Sequence, residues 1–231
     1  MDAIDYRKIV AEFIGTFTLI FAGAGSILVT GGQNLVAIAF AHGLAIALMV
    51  STLGHISGGL FNPSLTIGLW VTRRLDSLNT IAYIVAQLLG AIVAALALVV
   101  LFPEVERHAQ HLGTPALNAG VSFMQGVGIE AVLTFFLMAA VFGTAIDGRG
   151  PKLGGLVIGL IITMDIFAAG PLTGAAMNPA RALGPALIAN VWTDQLVYWI
   201  GPIIGAVIAA LVYHYVFMNG RETVEVEATA T

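Results

Sequence analysis

Apolar and polar positions divide the chain into six long apolar runs, at residues 9–30, 35–54, 78–102, 121–145, 153–170 and 195–217. Crossing a hydrocarbon core of about 30 Å takes roughly 20 helical residues, so each run is predicted to be a membrane span. Two shorter apolar stretches remain, at residues 62–71 and 178–188. About ten helical residues reach ~15 Å, half a bilayer. Neither can span alone, so both are predicted to enter the membrane part-way. The fold class expected is an all-α membrane protein of six transmembrane helices and two half-membrane re-entrant helices.

The runs repeat. Glu12 and Thr16 in the first span match Glu130 and Thr134 in the fourth, Asn62-Pro63 matches Asn178-Pro179, and Gln87 to Ala91 matches Pro202 to Ala206. The offsets are 118, 116 and 115 positions. The halves, about 9–102 and 121–217, belong to one channel domain over 1–231. Each holds three spans, an odd number, so they must lie inverted in the membrane. Inverted repeats place the functional site at the midplane, where broken helices meet.

Composition supports a membrane protein: 58% of residues are hydrophobic, and only 10% are charged against about 25% in soluble domains. Mean hydropathy is +0.95. The net charge of −4, with no basic patch, sets nucleic-acid binding aside. There is no cysteine, which excludes disulfides and thiol chemistry. The run after residues 1–8 lacks a signal-cleavage pattern and reads as a retained first helix. The tail 221–231 is acidic and without apolar periodicity, and is expected to be disordered. Arg7, Lys8, Arg73, Arg74, Arg149, Lys152 and Arg221 all fall on one side of six alternating spans, which predicts that both termini are cytoplasmic.

Each half-span stretch opens with Asn-Pro. Asn is a strong N-cap, and Pro at the first helical position has no N–H to leave unpaired. In an inverted repeat the two helix N-termini meet near the bilayer centre. Each carries roughly half a positive charge, so the pair repels cations and hydronium, while the Asn amides donate to a passing oxygen. Small residues precede each Asn: Ser57-Gly58-Gly59-Leu60 and Thr173-Gly174-Ala175-Ala176. Non-helical backbone at membrane depth must be buried in protein or line a cavity. Carbonyls of Gly58, Gly59, Leu60, Gly174, Ala175 and Ala176 are therefore predicted to face a lumen. Glu12 and Glu130 are predicted to be buried acceptors holding those loops. Arg181 sits on the first turn of the second half-helix. A charge there costs ~3 kcal/mol or more on insertion scales, so it must face water or carbonyls.

The stretch Gly54-His55-Ile56-Ser57-Gly58-Gly59-Leu60-Phe61-Asn62-Pro63 and the stretch Gly174-Ala175-Ala176-Met177-Asn178-Pro179-Ala180-Arg181 resemble the two signature loops of the aquaporin, or major intrinsic protein, family. The resemblance runs from Ala11-Glu12-Phe13-Ile14-Gly15-Thr16 to the last span. It implies an hourglass pore in each protomer, a homotetramer in the bilayer, proton exclusion at the paired Asn, and no cofactor. By distance from the Asn residues, the family's outer filter falls on His42, Ile166, Ala175 and Arg181. His42 and Ile166 replace the aromatic residue and the His of bacterial water channels, and Ala175 replaces a Thr or Cys. This set is similar to that of plant tonoplast intrinsic proteins, some of which pass ammonia and urea beside water.

Other positions pull differently. Gly170-Pro171-Leu172-Thr173-Gly174 resembles glycerol channels, whereas Ala182, Tyr198-Trp199 and Ala186 resemble water channels. The first motif ends in Ser64 instead of Ala, as in some metalloid-permeable relatives. The function expected is passive conduction of water with ammonia or another small neutral solute. Alternatives are a glycerol, urea or metalloid facilitator and, from another class, an ion-coupled transporter. No catalytic constellation is evident. His108 and His111 with Glu104 and Glu106 have the residue types of a metal site but no matched second cluster, so no metal is expected. Asp165 has three open roles: a salt bridge at the outer mouth, tuning Arg181, or facing a neighbouring protomer. The location expected is a bacterial inner membrane.

Overall fold

A computed structural model describes residues 4–218, and the tail expected over 221–231 lies outside them. The described elements are helical throughout: α1 (Tyr6–Thr30), α2 (Leu35–Ser57), α3 (Pro63–Val71), α4 (Ser77–Leu101), α5 (Glu104–Ala109), α6 (Phe123–Val141), α7 (Gly154–Thr173), α8 (Pro179–Ala189) and α9 (Val197–Val212). A 3-10 turn, His111–Gly113, follows α5, and single π turns extend α6 and α9. Six of these helices are long and apolar enough to cross a membrane. α3 and α8 are the half-length pair.

Local chemistry sets the helix ends. Asp5 and Asp76 cap α1 and α4 by accepting main-chain N–H groups, and Ser122 with Gln125 forms a capping box on α6. Asn62 and Asn178 cap α3 and α8, with Pro63 and Pro179 at the first helical position. α5 is too short to show periodicity and escaped the sequence reading. It stands in the polar segment expected between the third and fourth spans.

The packing pairs α1 with α4 and α2, α6 with α9 and α7, and α2 with α7. The half-helices wedge into this frame, α3 against α9 and α8 against α4. Small residues permit these approaches. A Cβ on Gly184 of α8 would lie 2.6 Å from the Ala91 carbonyl of α4, and one on Gly201 of α9 would lie 2.7 Å from the Val127 carbonyl of α6. Ala94 and Ala209 are fully buried at these helix contacts. With no hydrophobic driving force between helices in lipid, this close contact is what holds the bundle. On the face carrying the termini, Arg149 pairs with Asp147 and donates to the Phe217 carbonyl at 3.1 Å, tying the α6–α7 loop to the end of α9.

Candidate functional site

Two buried carboxylates organise the centre of the molecule, and they do so in the same way. Glu12 Oε1 accepts from the Ser57 hydroxyl at 2.7 Å and the Leu60 N–H at 3.1 Å; Oε2 accepts from the Phe61 N–H at 2.7 Å. Glu130 Oε1 accepts from the Thr173 hydroxyl at 2.7 Å and the Ala176 N–H at 2.9 Å; Oε2 accepts from the Met177 N–H at 2.7 Å. Glu12 has one donor more, Gln87 Nε2 at 2.7 Å. Proline stands at the matching position of the other half. Both carboxylates are inaccessible to solvent. A buried acceptor of this kind is tolerated because each of its oxygens accepts at least one hydrogen bond.

Those bonds hold backbone in a conformation most side chains avoid. Phe61, Ala175 and Met177 have φ of 49°, 43° and 53°. The left-handed region costs a non-glycine residue roughly 1–2 kcal/mol. A tyrosine backs each loop, with Tyr83 Oη donating to the Ser57 carbonyl at 2.9 Å and Tyr198 Oη to the Thr173 carbonyl at 2.8 Å. The sequence reading missed the bracing role of these tyrosines and of the Ser57 and Thr173 hydroxyls. Their offsets of 115 and 116 positions are those of the repeat, so the signal was present.

The loops then lock to each other. Asn62 Nδ2 donates to the Met177 carbonyl at 2.8 Å, and Asn178 Nδ2 donates to the Phe61 carbonyl at 2.9 Å. Each asparagine grips the residue just before the other. Its Oδ1 accepts from its own helix: Ser64 N–H at 2.9 Å for Asn62, and Ala180 N–H at 3.0 Å with Arg181 N–H at 3.3 Å for Asn178. The amide orientation is thereby fixed, and one of its two N–H groups is used.

A narrow cavity lies at this point. Its free space is about 20 Å³, little more than the centre of one water needs. His42, Ile166, Ala175 and Arg181 border it together, as do Gly59, Leu60, Ala176 and both asparagines. Leu65, Leu137, Ile158 and Ile162 complete an apolar wall. Gly58 and Gly174 stand one step back, as left-handed caps of α2 and α7. Ser64 is fully buried away from the cavity lining, and its hydroxyl has no partner among the described residues.

Arg181 donates from Nη1 to the Gly113 carbonyl at 2.8 Å. His42 Nδ1 lies 2.8 Å from the Ile38 carbonyl. A carbonyl only accepts, so Nδ1 carries the proton and a neutral ring keeps Nε2 as an acceptor. The ring lies against Gly23, where a Cβ would come within 2.5 Å of it. Asp165 is fully buried, and neither carboxyl oxygen has a partner among the described residues. Among the described residues it forms no salt bridge, and its side chain does not face outward. Among the described residues no three His, Asp or Glu side chains converge as a metal site.

Six spans, two half-helices joined tip to tip and a narrow cavity at their meeting point are the architecture of a membrane channel. Residues 2–213 match the family described as Major intrinsic protein. Aquaporin TIP4-4 of Zea mays is 45% identical over 94% of this chain and 89% of its own length. Aquaporin TIP1-2 of Zea mays is 41% identical over 97% and 91%. The X-ray structure of the aquaglyceroporin from Plasmodium falciparum superposes with a TM-score of 0.81 at 26% identity, over 92% of this chain and 96% of that one. The chain belongs to the major intrinsic protein family, the aquaporins, and is an integral multi-pass membrane protein. These relatives are plant and Plasmodium proteins, so the expected bacterial inner membrane finds no support in them.

Proposed function

We propose that the protein is a passive channel for water that also passes ammonia, with protons and ions excluded at the paired asparagines. The observation that carries this reading is the composition of the 20 Å³ cavity. In it, Asn62 and Asn178 each retain one N–H for a passing oxygen or nitrogen. Two half-helix N-termini surround that point with positive potential. His42, Ile166, Ala175 and Arg181 act as the selectivity filter. Arg181 supplies a fixed charge and N–H donors. Ile166 and Ala175 remove polar competition from the wall. Nε2 of His42 offers an acceptor to a molecule that donates N–H, which favours ammonia over a solute that only accepts. Backbone carbonyls of Gly59 and Leu60 and of Ala175 and Ala176 form the acceptor track, and Glu12 and Glu130 support it. Protomers assemble as a homotetramer with both termini in the cytoplasm, and no cofactor or catalytic step is involved.

The reading is tested by comparing water, ammonia, glycerol and urea fluxes in proteoliposomes, for the native chain and for His42→Phe combined with Ile166→His. The native channel is expected to raise water and ammonia flux above empty liposomes, and the double variant to keep water flux while losing ammonia flux. Ammonia flux unchanged by the double variant would remove the filter assignment.

A further inference from the structure

A second cavity, of about 230 Å³, lies on the face opposite the termini, among the end of α4, α5, the 3-10 turn and the end of α8. Its walls are Val99, Leu112, Ile188 and Ala189, and its polar lining is Arg107, His108 and His111. Glu106 does not line it. Arg107 Nε is buried with no partner among the described residues. His108 lies 3.5 Å from Glu104 through Nε2, which leaves its other ring nitrogen uncommitted. A guanidinium flanked by imidazoles over an apolar floor suits an oxyanion, and planar N–H pairs fit phosphate oxygens two at a time.

The surroundings indicate what carries the oxyanion. Val100, Leu101 and Val105 are strongly exposed beside the cavity. Exposed apolar side chains next to a guanidinium at a span's end fit an acyl chain below a charged headgroup. The turn that floors the cavity also holds Arg181 through Gly113, so the site abuts the constriction without belonging to it.

We propose that this cavity binds a phosphate group, held by Arg107 with His108 and His111 and carried on a lipid whose acyl chain lies against α4 and α5. Calorimetric titration of the purified full-length protein in detergent tests it. The probes are dihexanoyl phosphatidic acid, inorganic phosphate and dihexanoyl phosphatidylcholine. Saturable binding of the phosphatidic acid is expected, weakened at least about tenfold by Arg107→Gln. Ile188→Trp, which fills the cavity without touching its charge, is expected to weaken binding as well. Circular dichroism and size-exclusion elution identify any variant that fails to fold. Weaker binding of inorganic phosphate and of the zwitterionic lipid supports the anionic-lipid assignment. Equal binding of inorganic phosphate retains the phosphate site and overturns the lipid source. Absence of saturable binding, or binding insensitive to both variants, overturns the site. None of these outcomes depends on which solute the pore conducts.

Discussion

Replacing Glu130 with Gln keeps the size of the side chain and changes one of its acceptors into a donor. Three groups donate to Glu130 now: the Thr173 hydroxyl, the Ala176 N–H and the Met177 N–H. The Thr173 hydroxyl can rotate and accept, but a main-chain N–H cannot. Whichever way the new amide is turned, one buried N–H loses its acceptor, Ala176 in one orientation and Met177 in the other. An orphaned buried donor costs about 1–3 kcal/mol. The same bonds hold Ala175 and Met177 at positive φ, so the strained loop gains freedom to relax. For a chain of this size about 1 kcal/mol moves the melting temperature by roughly 2–4 °C. The expected fall is therefore about 2–12 °C, read by thermal size-exclusion in detergent, with a parallel loss of water flux in proteoliposomes. A variant that melts within about 1 °C of the native protein and conducts at the native rate would refute the role assigned to the carboxylate.

Smaller perturbations separate the other parts of the account. Gly23→Ala places a methyl within 2.5 Å of the His42 ring; stopped-flow assays are expected to show altered ammonia-to-water flux with assembly intact. Asp76→Ala removes the cap that accepts from Leu78 and Asn79, and is expected to cost about 0.5–2 kcal/mol in detergent unfolding without changing flux. The hydrogen bond from Arg149 holds the Asp147 carboxyl down to about 2 from an ordinary 3.8. A depressed carboxylate stabilises the fold above pH 3.8 and loses that contribution as pH falls through 2. The melting difference between native protein and Asp147→Asn should thus hold constant from pH 7 to about 4 and fade only below. A difference that vanished by pH 6 would contradict that pairing.

The bundle was legible because its signals are periodic and repeated. Span length, the two Asn-Pro caps and the shared offset between halves lead from composition to six spans and two half-helices. The bracing acids were legible because a carboxylate within an apolar run has few other uses. What stayed hidden has no periodicity. The Gly113 carbonyl that holds Arg181 belongs to a turn where His111 and Leu112 both adopt positive φ, and nothing in their identity announces it. Likewise the cross-grip of each asparagine on the opposite loop depends on main-chain carbonyls, to which any residue contributes. Ser64 reads as a departure within a pore motif, yet its side chain points into packed protein. Asp165 reads as a group awaiting a partner, and it is buried without one among the described residues.

The paired asparagines are the centre of the account, and the most direct test follows water and protons through the same vesicles. Purified protein is reconstituted with a pH-sensitive dye inside. Osmotic shrinkage is recorded by stopped-flow light scattering, and internal pH is followed under a proton gradient with potassium and valinomycin clamping the voltage. The account predicts shrinkage well above that of empty liposomes with an internal pH trace that matches them. Shrinkage no faster than empty liposomes, or a proton leak that scales with the amount of protein, would contradict it.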